Sequence, residues 1–234
     1  MNTEHLHKKA ARSPRRSMQS AERSTKFVIE DLRRRISSQE LLPGSRIPEE
    51  DLAAAYEIPR AKVREVLAVL EDRGLVERIP NKGAVVSTVD METTYRLYEV
   101  REALDTLIVR LAMRNAKTED WAAMGDLLGP NFEESLRQGD IAAHVAMIME
   151  FRDRLKDIAG NPILSDLIER IYDRTRVTMR RVALLPGRAE MGIRQYRDLF
   201  QAMQSGDMVA ADRRVQELNE SAREYIERYK NYVL

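Results

Sequence analysis

The apolar positions change their period twice along the chain. Over residues 21–40, Phe27, Val28, Leu32 and Ile36 recur at helical spacing, and Leu42-Pro43-Gly44 stops that helix because proline cannot continue it and glycine tolerates the turn. A short helix is predicted over 49–56, with its acidic residues in the first turn, where they suit the positive end of the helix dipole. Glu57-Ile58-Pro59 is a tight break, and 60–73 is another helix, ended by Gly74. Two extended runs at 75–79 and 84–88 flank Pro80-Asn81-Lys82-Gly83, which has the chemistry of a hairpin turn. Beyond Asp90 the strand signals vanish. Helices are predicted at 91–116, 118–136, 140–159, 162–184, 188–205 and 207–230, punctuated by pairs such as Gly129-Pro130 and Pro186-Gly187. The fold class is mainly α: a flexible basic tail over 1–17, a winged helix-turn-helix over 18–89, and an all-helical bundle over 90–234.

With 234 residues, 43% of them hydrophobic and 33% charged, the chain can fill one large core or two modest ones. The absence of cysteine excludes a disulfide framework, a zinc ribbon and a thiol catalyst, and leaves His5, His7 and His144 for acid-base or metal work. No apolar run approaches the roughly 18 residues of a membrane span. The first residues are basic and polar rather than a signal peptide, so a soluble cytoplasmic protein with no membrane partner is expected. The net charge of +1 conceals an asymmetry, since residues 1–88 hold 17 Lys/Arg against 13 Asp/Glu while residues 89–234 hold 22 against 25. A basic front end suits a polyanion, although many tails without that role are also basic. An enzyme of the helical-bundle type has little support: no nucleophile stands beside a histidine, no two-histidine metal motif appears, and no glycine-rich phosphate loop follows a strand.

In the front module, Leu52, Ala53, Tyr56, Ile58, Val63, Val66, Leu67 and Leu70 can close one small core. With those facing inward, Arg60, Lys62 and Arg64 lie on the opposite face, near the amino end of their helix. A recognition helix needs that arrangement, because its first residues meet base edges while its free amides face phosphate. Arg46, ahead of the short helix, joins this cationic set. The hairpin tip offers Asn81 and Lys82 to the backbone or minor groove, and Gly83 permits close approach. Ordinary helical proteins also carry such spacing with surface arginines. The runs Leu41-Leu42-Pro43-Gly44, Pro48-Glu49-Glu50-Asp51-Leu52-Ala53, Arg60-Ala61-Lys62-Val63-Arg64-Glu65-Val66-Leu67, Leu70-Glu71-Asp72-Arg73-Gly74-Leu75-Val76 and Pro80-Asn81-Lys82-Gly83 are, in this order, similar to the DNA-binding domain of the GntR family of bacterial transcription regulators. The resemblance implies that Arg60 and Arg64 contact bases or their phosphates and that Lys82 and Gly83 reach the groove. It also implies a homodimer on a palindromic double-stranded operator. Glu57 departs from the family's turn glycine, Pro59 from its small hydroxyl cap and Lys82 from its wing arginine, which puts the operator sequence in doubt more than DNA binding.

The back half resembles the helical ligand-binding FCD domain of the FadR subfamily through Tyr98-Glu99-Val100-Arg101-Glu102-Ala103-Leu104, Gly139-Asp140, Phe151 with Ala159-Gly160-Asn161-Pro162, and Ala202-Met203 with Gly206-Asp207. Many members hold a divalent metal with one aspartate and three histidines, and the metal binds a small carboxylate. By that resemblance the four ligand positions fall on Ile148, Arg152, Tyr196 and Leu218. None carries a metal ligand's usual chemistry, so no metal and no other cofactor is expected. His144, two turns before Arg152 and off the apolar stripe, reads as a surface side chain.

Periodicity offers a replacement. One inward stripe runs Ile141, Val145, Ile148, Arg152, Leu155, Ala159 and another Leu97, Arg101, Leu104, Ile108, Leu111, each containing one arginine. An inward guanidinium must find an anion or several acceptors. Arg101 and Arg152, helped by Tyr196, Thr175 and Thr178, form a candidate pocket for a small anionic metabolite such as a carboxylate. The plainer alternative is a pair of structural ion pairs with Asp105, Glu102 or Glu150, in a bundle that serves only dimerisation. The stretch Arg174, Arg176, Arg180, Arg181, Arg188 reads mostly as a solvated face, with one or two members near a ligand entrance, and Trp121 as packing.

Overall fold

In a computed structural model the described residues are 14–233, with side-chain environments for 25–232. Residues 1–13 of the expected tail, with His5 and His7, lie outside the described residues. The first helix, α1 (Pro14–Ser37), begins earlier than its apolar period suggests. Residues 14–17, expected in the tail, are its first turn, and a leading proline is preset for that position. Two compact units follow from the Cα packing, one up to Ser87 and one from Thr88.

The front unit comprises α1, α2 (Glu49–Ala55), α3 (Arg60–Asp72), β1 (Val76–Ile79) and β2 (Gly83–Val86). Val28, Leu32 and Ile36 of α1 meet Val63, Val66, Leu67 and Leu70 of α3 in its core. The strands are antiparallel, with Val76 opposite Val86 and Ile79 opposite Gly83. The Lys82 amide donates to the Ile79 carbonyl at 3.0 Å across Pro80 and Asn81. Asn81 has φ +65°, so this is the turn in which proline presets the first corner and a left-handed residue takes the second.

The back unit comprises α4 (Met91–Asn115), α5 (Thr118–Leu127), α6 (Pro130–Arg137), α7 (Ile141–Ala159), α8 (Pro162–Ala183), α9 (Arg188–Gln204), α10 (Met208–Arg228) and α11 (Lys230–Val233). Helix α4 packs against α7, α8 and α10, and α9 against α10. The single helix expected over 118–136 is two, because Gly129 caps α6 and Pro130 opens it. The carbonyls freed there are taken by Arg197, whose Nε donates to Leu128 O at 3.0 Å and whose Nη2 donates to Gly129 O at 3.1 Å. That break lets α6 lie along α7, with consequences for His144. Trp121 packs against Phe200 with ring centroids 6.2 Å apart.

Candidate nucleic-acid interface and effector cavity

Helix α3 starts without a side-chain cap, since its cap residue is Pro59. Its first amides are therefore left for an external acceptor, the ordinary condition of an anion-binding helix start. Arg60 and Arg64 are exposed beside that start and Lys62 is half-buried. All three are paired: Arg60 with Glu50 at 2.5 Å, Arg64 with Glu49 at 3.0 Å and Lys62 with Glu65 at 2.6 Å. Exposed pairs of this kind are worth little, so phosphate can displace the carboxylates. Arg46 is exposed, and its backbone bridges to Val85 along the free side of β2, which places it beside the wing. Asn81, Lys82 and Gly83 are exposed at the hairpin tip, and Gly83 holds φ +78° with open space where a Cβ would stand. Glu57, standing at the family's turn glycine, has φ +52°, the left-handed conformation glycine adopts without penalty.

In the bundle, the two inward arginines converge on one carboxylate. Arg101 is 2% exposed and its Nε lies 3.4 Å from Asp105 Oδ2, while its Nη1 lies 3.4 Å from the Thr175 hydroxyl. Arg152 approaches the same oxygen at 3.6 Å through Nη1, and its Nε donates to the Tyr196 hydroxyl at 2.9 Å. Tyr172 donates to Asp105 Oδ1 at 2.5 Å. Burial pushes the Asp105 carboxyl up to about 7, against hydrogen bonds from Tyr172 and Asn219 that pull it down. Two guanidiniums beside one oxygen favour its ionised form. Of the expected ion-pair partners, only Asp105 serves these arginines, because Glu102 pairs with Arg223 and Glu150 with Arg154. Arg101 also faces the rings of Tyr98 and Tyr172, and Arg152 those of Tyr172 and Tyr196.

Thr178 is buried but lines neither of the two cavities at this centre. One cavity, of about 30 Å³, has Asp105, Arg152, Tyr172 and Tyr196 in its wall. The other, of about 40 Å³, has Arg101, Arg152 and Arg188. Its wall also contains Ile148, Tyr196 and Leu218, so all four positions that the resemblance assigns to metal ligands meet at one place. The donor set there does not fit a divalent cation: isoleucine and leucine offer no lone pair, and a guanidinium repels the ion. Among the described residues, no group of three His, Asp or Glu side chains is close enough to hold a metal.

His144 corrects the surface reading. It is fully buried, its ring stacked 4.6 Å from that of Phe132 on α6, and both ring nitrogens lack a hydrogen bond of ordinary geometry. Its helix face is covered because α6 folds back over α7, which the uninterrupted helix expected over 118–136 could not do. The five arginines read as a solvated face are all half-buried. Of these, Arg188 lines one of the two cavities; burial lowers its pKa, and its Nε, like those of Arg174 and Arg176, makes no hydrogen bond. Sequence reasoning missed Tyr172, although Ile168, Tyr172 and Thr175 recur at helical spacing along one face of α8.

A helix-turn-helix with a two-stranded wing, its exposed cations at an uncapped helix start, defines a DNA-binding module, here on the same chain as a helical domain with a charged centre. The model described as bacterial regulatory proteins, gntR family, matches residues 24–86, and the model described as FCD domain matches residues 96–221. The chain belongs to the GntR family, in the FadR subfamily with a C-terminal FCD domain. It is a DNA-binding transcription regulator and not an enzyme. It is 26% identical over 208 residues to the HTH-type transcriptional repressor RspR of Escherichia coli (strain K12), covering 82% of this chain and 86% of that one. It is 32% identical over 136 residues to the Nta operon transcriptional regulator of Aminobacter aminovorans, covering 57% of this chain and 63% of that one. The solved structure of E. coli McbR/YncC superposes with a TM-score of 0.76 at 23% identity, covering 88% of this chain and 98% of that one. Among the described residues no helix is long and apolar enough to cross a membrane.

Proposed function

We propose that this regulator is a cytoplasmic, homodimeric repressor whose helical domain binds a small anionic metabolite directly on guanidinium groups, with no metal. The observation that carries this reading is the charge at the centre: Arg101 and Arg152 share one carboxylate, and the Arg152 Nη1 has no hydrogen-bond partner. A buried guanidinium left short of acceptors favours an arriving anion. Repression is favoured by the similarity to RspR and to the HTH-type transcriptional repressor NanR of Salmonella newport (strain SL254). Dimerisation is favoured by exposed apolar side chains on two packed helices, Val100 and Leu107 of α4 and Ile163 and Leu167 of α8. A symmetric dimer places two reading heads on a palindromic site.

In this reading Arg60, Arg64 and Lys62 read the major groove from α3, while Arg46, Asn81, Lys82 and Gly83 engage backbone and minor groove. Ligand releases DNA only by preferring the conformation that does not fit the operator. Moving a population from 1:99 to 99:1 takes about 5.5 kcal/mol of such preference. Cavities of about 30 and 40 Å³ are smaller than a metabolite, so a metabolite would occupy an opened bundle, and opening is then the step that couples to DNA.

The same small volumes favour a second reading, in which the bundle only dimerises. Thermal melts of the full chain against a panel of carboxylates and phosphorylated compounds separate the two, since a bound ligand raises the melting temperature by mass action. A hit that also weakens binding to DNA from the protein's own promoter supports the first reading. A panel without a hit supports the second, and failure of the full chain to bind that DNA overturns both.

A further inference from the structure

We propose that the anion taken by the cavity beside Arg101 and Arg152 is a compact tetrahedral dianion, a phosphate-type group, with Arg188 and His144 completing its site. This inference rests on the anion-binding reading above and narrows its chemistry. The cavity is lined by guanidiniums from three helices, Arg101 of α4, Arg152 of α7 and Arg188 of α9, and no Asp or Glu lines it. Asp105 instead lines the neighbouring cavity. The three arginines leave an excess of two positive charges with Asp105 ionised and of three with it protonated, so in either state a dianion balances the centre better than a monocarboxylate.

Under-used donors surround the same space. The Arg188 Nε and both nitrogens of fully buried His144 lack a hydrogen bond of ordinary geometry, and the Arg152 Nη1 has only its 3.6 Å ion pair with Asp105. A neutral imidazole keeps one N–H for donation. The start of α9 adds more: Gly187 caps it without a side chain, and Ala189 and Gly192 from its opening turns line the cavity. A glycine within a helix forgoes the stability that alanine would give. At Gly192 a Cβ would stand 3.3 Å from the Arg188 Nη1, so the glycine leaves Arg188 its path along the helix. A planar carboxylate is satisfied by one guanidinium fork, whereas forks arriving from three helices match the spread of oxygens on a tetrahedral group. The closed volume of about 40 Å³ is nearer the size of a compact anionic group than of an extended one, so the rest of a phosphorylated metabolite would occupy the opened bundle.

The test is titration calorimetry on the full chain with inorganic phosphate, glycerol phosphate and acetate at matched ionic strength, repeated on Arg188→Gln and His144→Met. Phosphate-type anions are expected to bind the native chain at least tenfold more tightly than acetate, and each variant is expected to lose at least tenfold in phosphate affinity while still binding promoter DNA. Either variant suffices if the other fails to fold. Binding of phosphate without the monoester identifies the free ion, and binding of both identifies a phosphorylated metabolite. Acetate binding as tightly as phosphate, or phosphate binding unchanged in a folded variant, overturns the dianion while leaving the anionic effector standing. If none of the three anions binds, the dianion falls, and the carboxylate panel above then decides the broader reading.

Discussion

Arg152 and Tyr196, which occupy two positions where metal-holding relatives place histidines, are hydrogen bonded to each other at 2.9 Å. Where a cation would bring two ligands together, a donor and an acceptor here meet directly, and the cation at the centre is the guanidinium itself. In the proposed reading, the charge offered to an anion comes from the polypeptide rather than from a bound ion.

Replacing Arg152 by leucine tests that transfer. The variant should lose any anion-induced rise in melting temperature, while the empty protein should melt at the native temperature or above it. Asp105 keeps Arg101 and Tyr172, and a buried cation whose Nη1 makes only a long ion pair and no hydrogen bond is removed. Zinc or nickel should leave the native chain's melting temperature unchanged, and a rise would show ligands at this centre that its side chains do not suggest.

Glu49 and Glu50 hold Arg64 and Arg60, the two arginines proposed above to read DNA. Glu49→Gln and Glu50→Gln each free a guanidinium and remove a charge that repels phosphate, so both should tighten promoter binding by roughly two- to tenfold in dilute buffer, with the gain shrinking as salt rises. Arg64→Ala should weaken specific binding by about 1–3 kcal/mol and leave the fold intact. A gel-shift titration against salt reads all three.

Glu57 adopts φ +52° on an exposed turn. An L residue there costs about 1–2 kcal/mol that glycine avoids, while glycine adds back about 0.4–1 kcal/mol of unfolded-chain entropy. Glu57→Gly should therefore stabilise the protein by up to about 1.6 kcal/mol in urea unfolding, and Glu57→Ala should not.

His144 predicts a pH dependence of stability. Burial against Phe132 pushes its imidazole below the ordinary value; a backbone contact with Phe132 and the charge of Glu190 work against that shift, and Arg188 reinforces it. The unfolded chain takes up a proton near pH 6.5 that the folded chain refuses, so stability is full above that pH and falls below it, by at most about 1.4 kcal/mol per pH unit for one proton. Urea midpoints compared at pH 7 and pH 5.5 should differ less in His144→Met than in the native chain.

The sequence by itself determined the elements and the class, because helix periods, turn residues and the spacing of Arg60, Lys62 and Arg64 are local properties that neighbouring residues set. It also brought Arg101 and Arg152 inward, since each falls on an apolar stripe. The surroundings of those arginines came only from the tertiary structure. Asp105 between two guanidiniums, Tyr172 donating to it, and His144 covered by α6 depend on which helix lies against which. Helical spacing says that a face is buried but not what buries it. The break at Gly129-Pro130 shows the difference: the pair was visible as punctuation, but only the packed bundle decided that α6 turns back onto α7 and encloses a histidine that periodicity alone assigns to solvent.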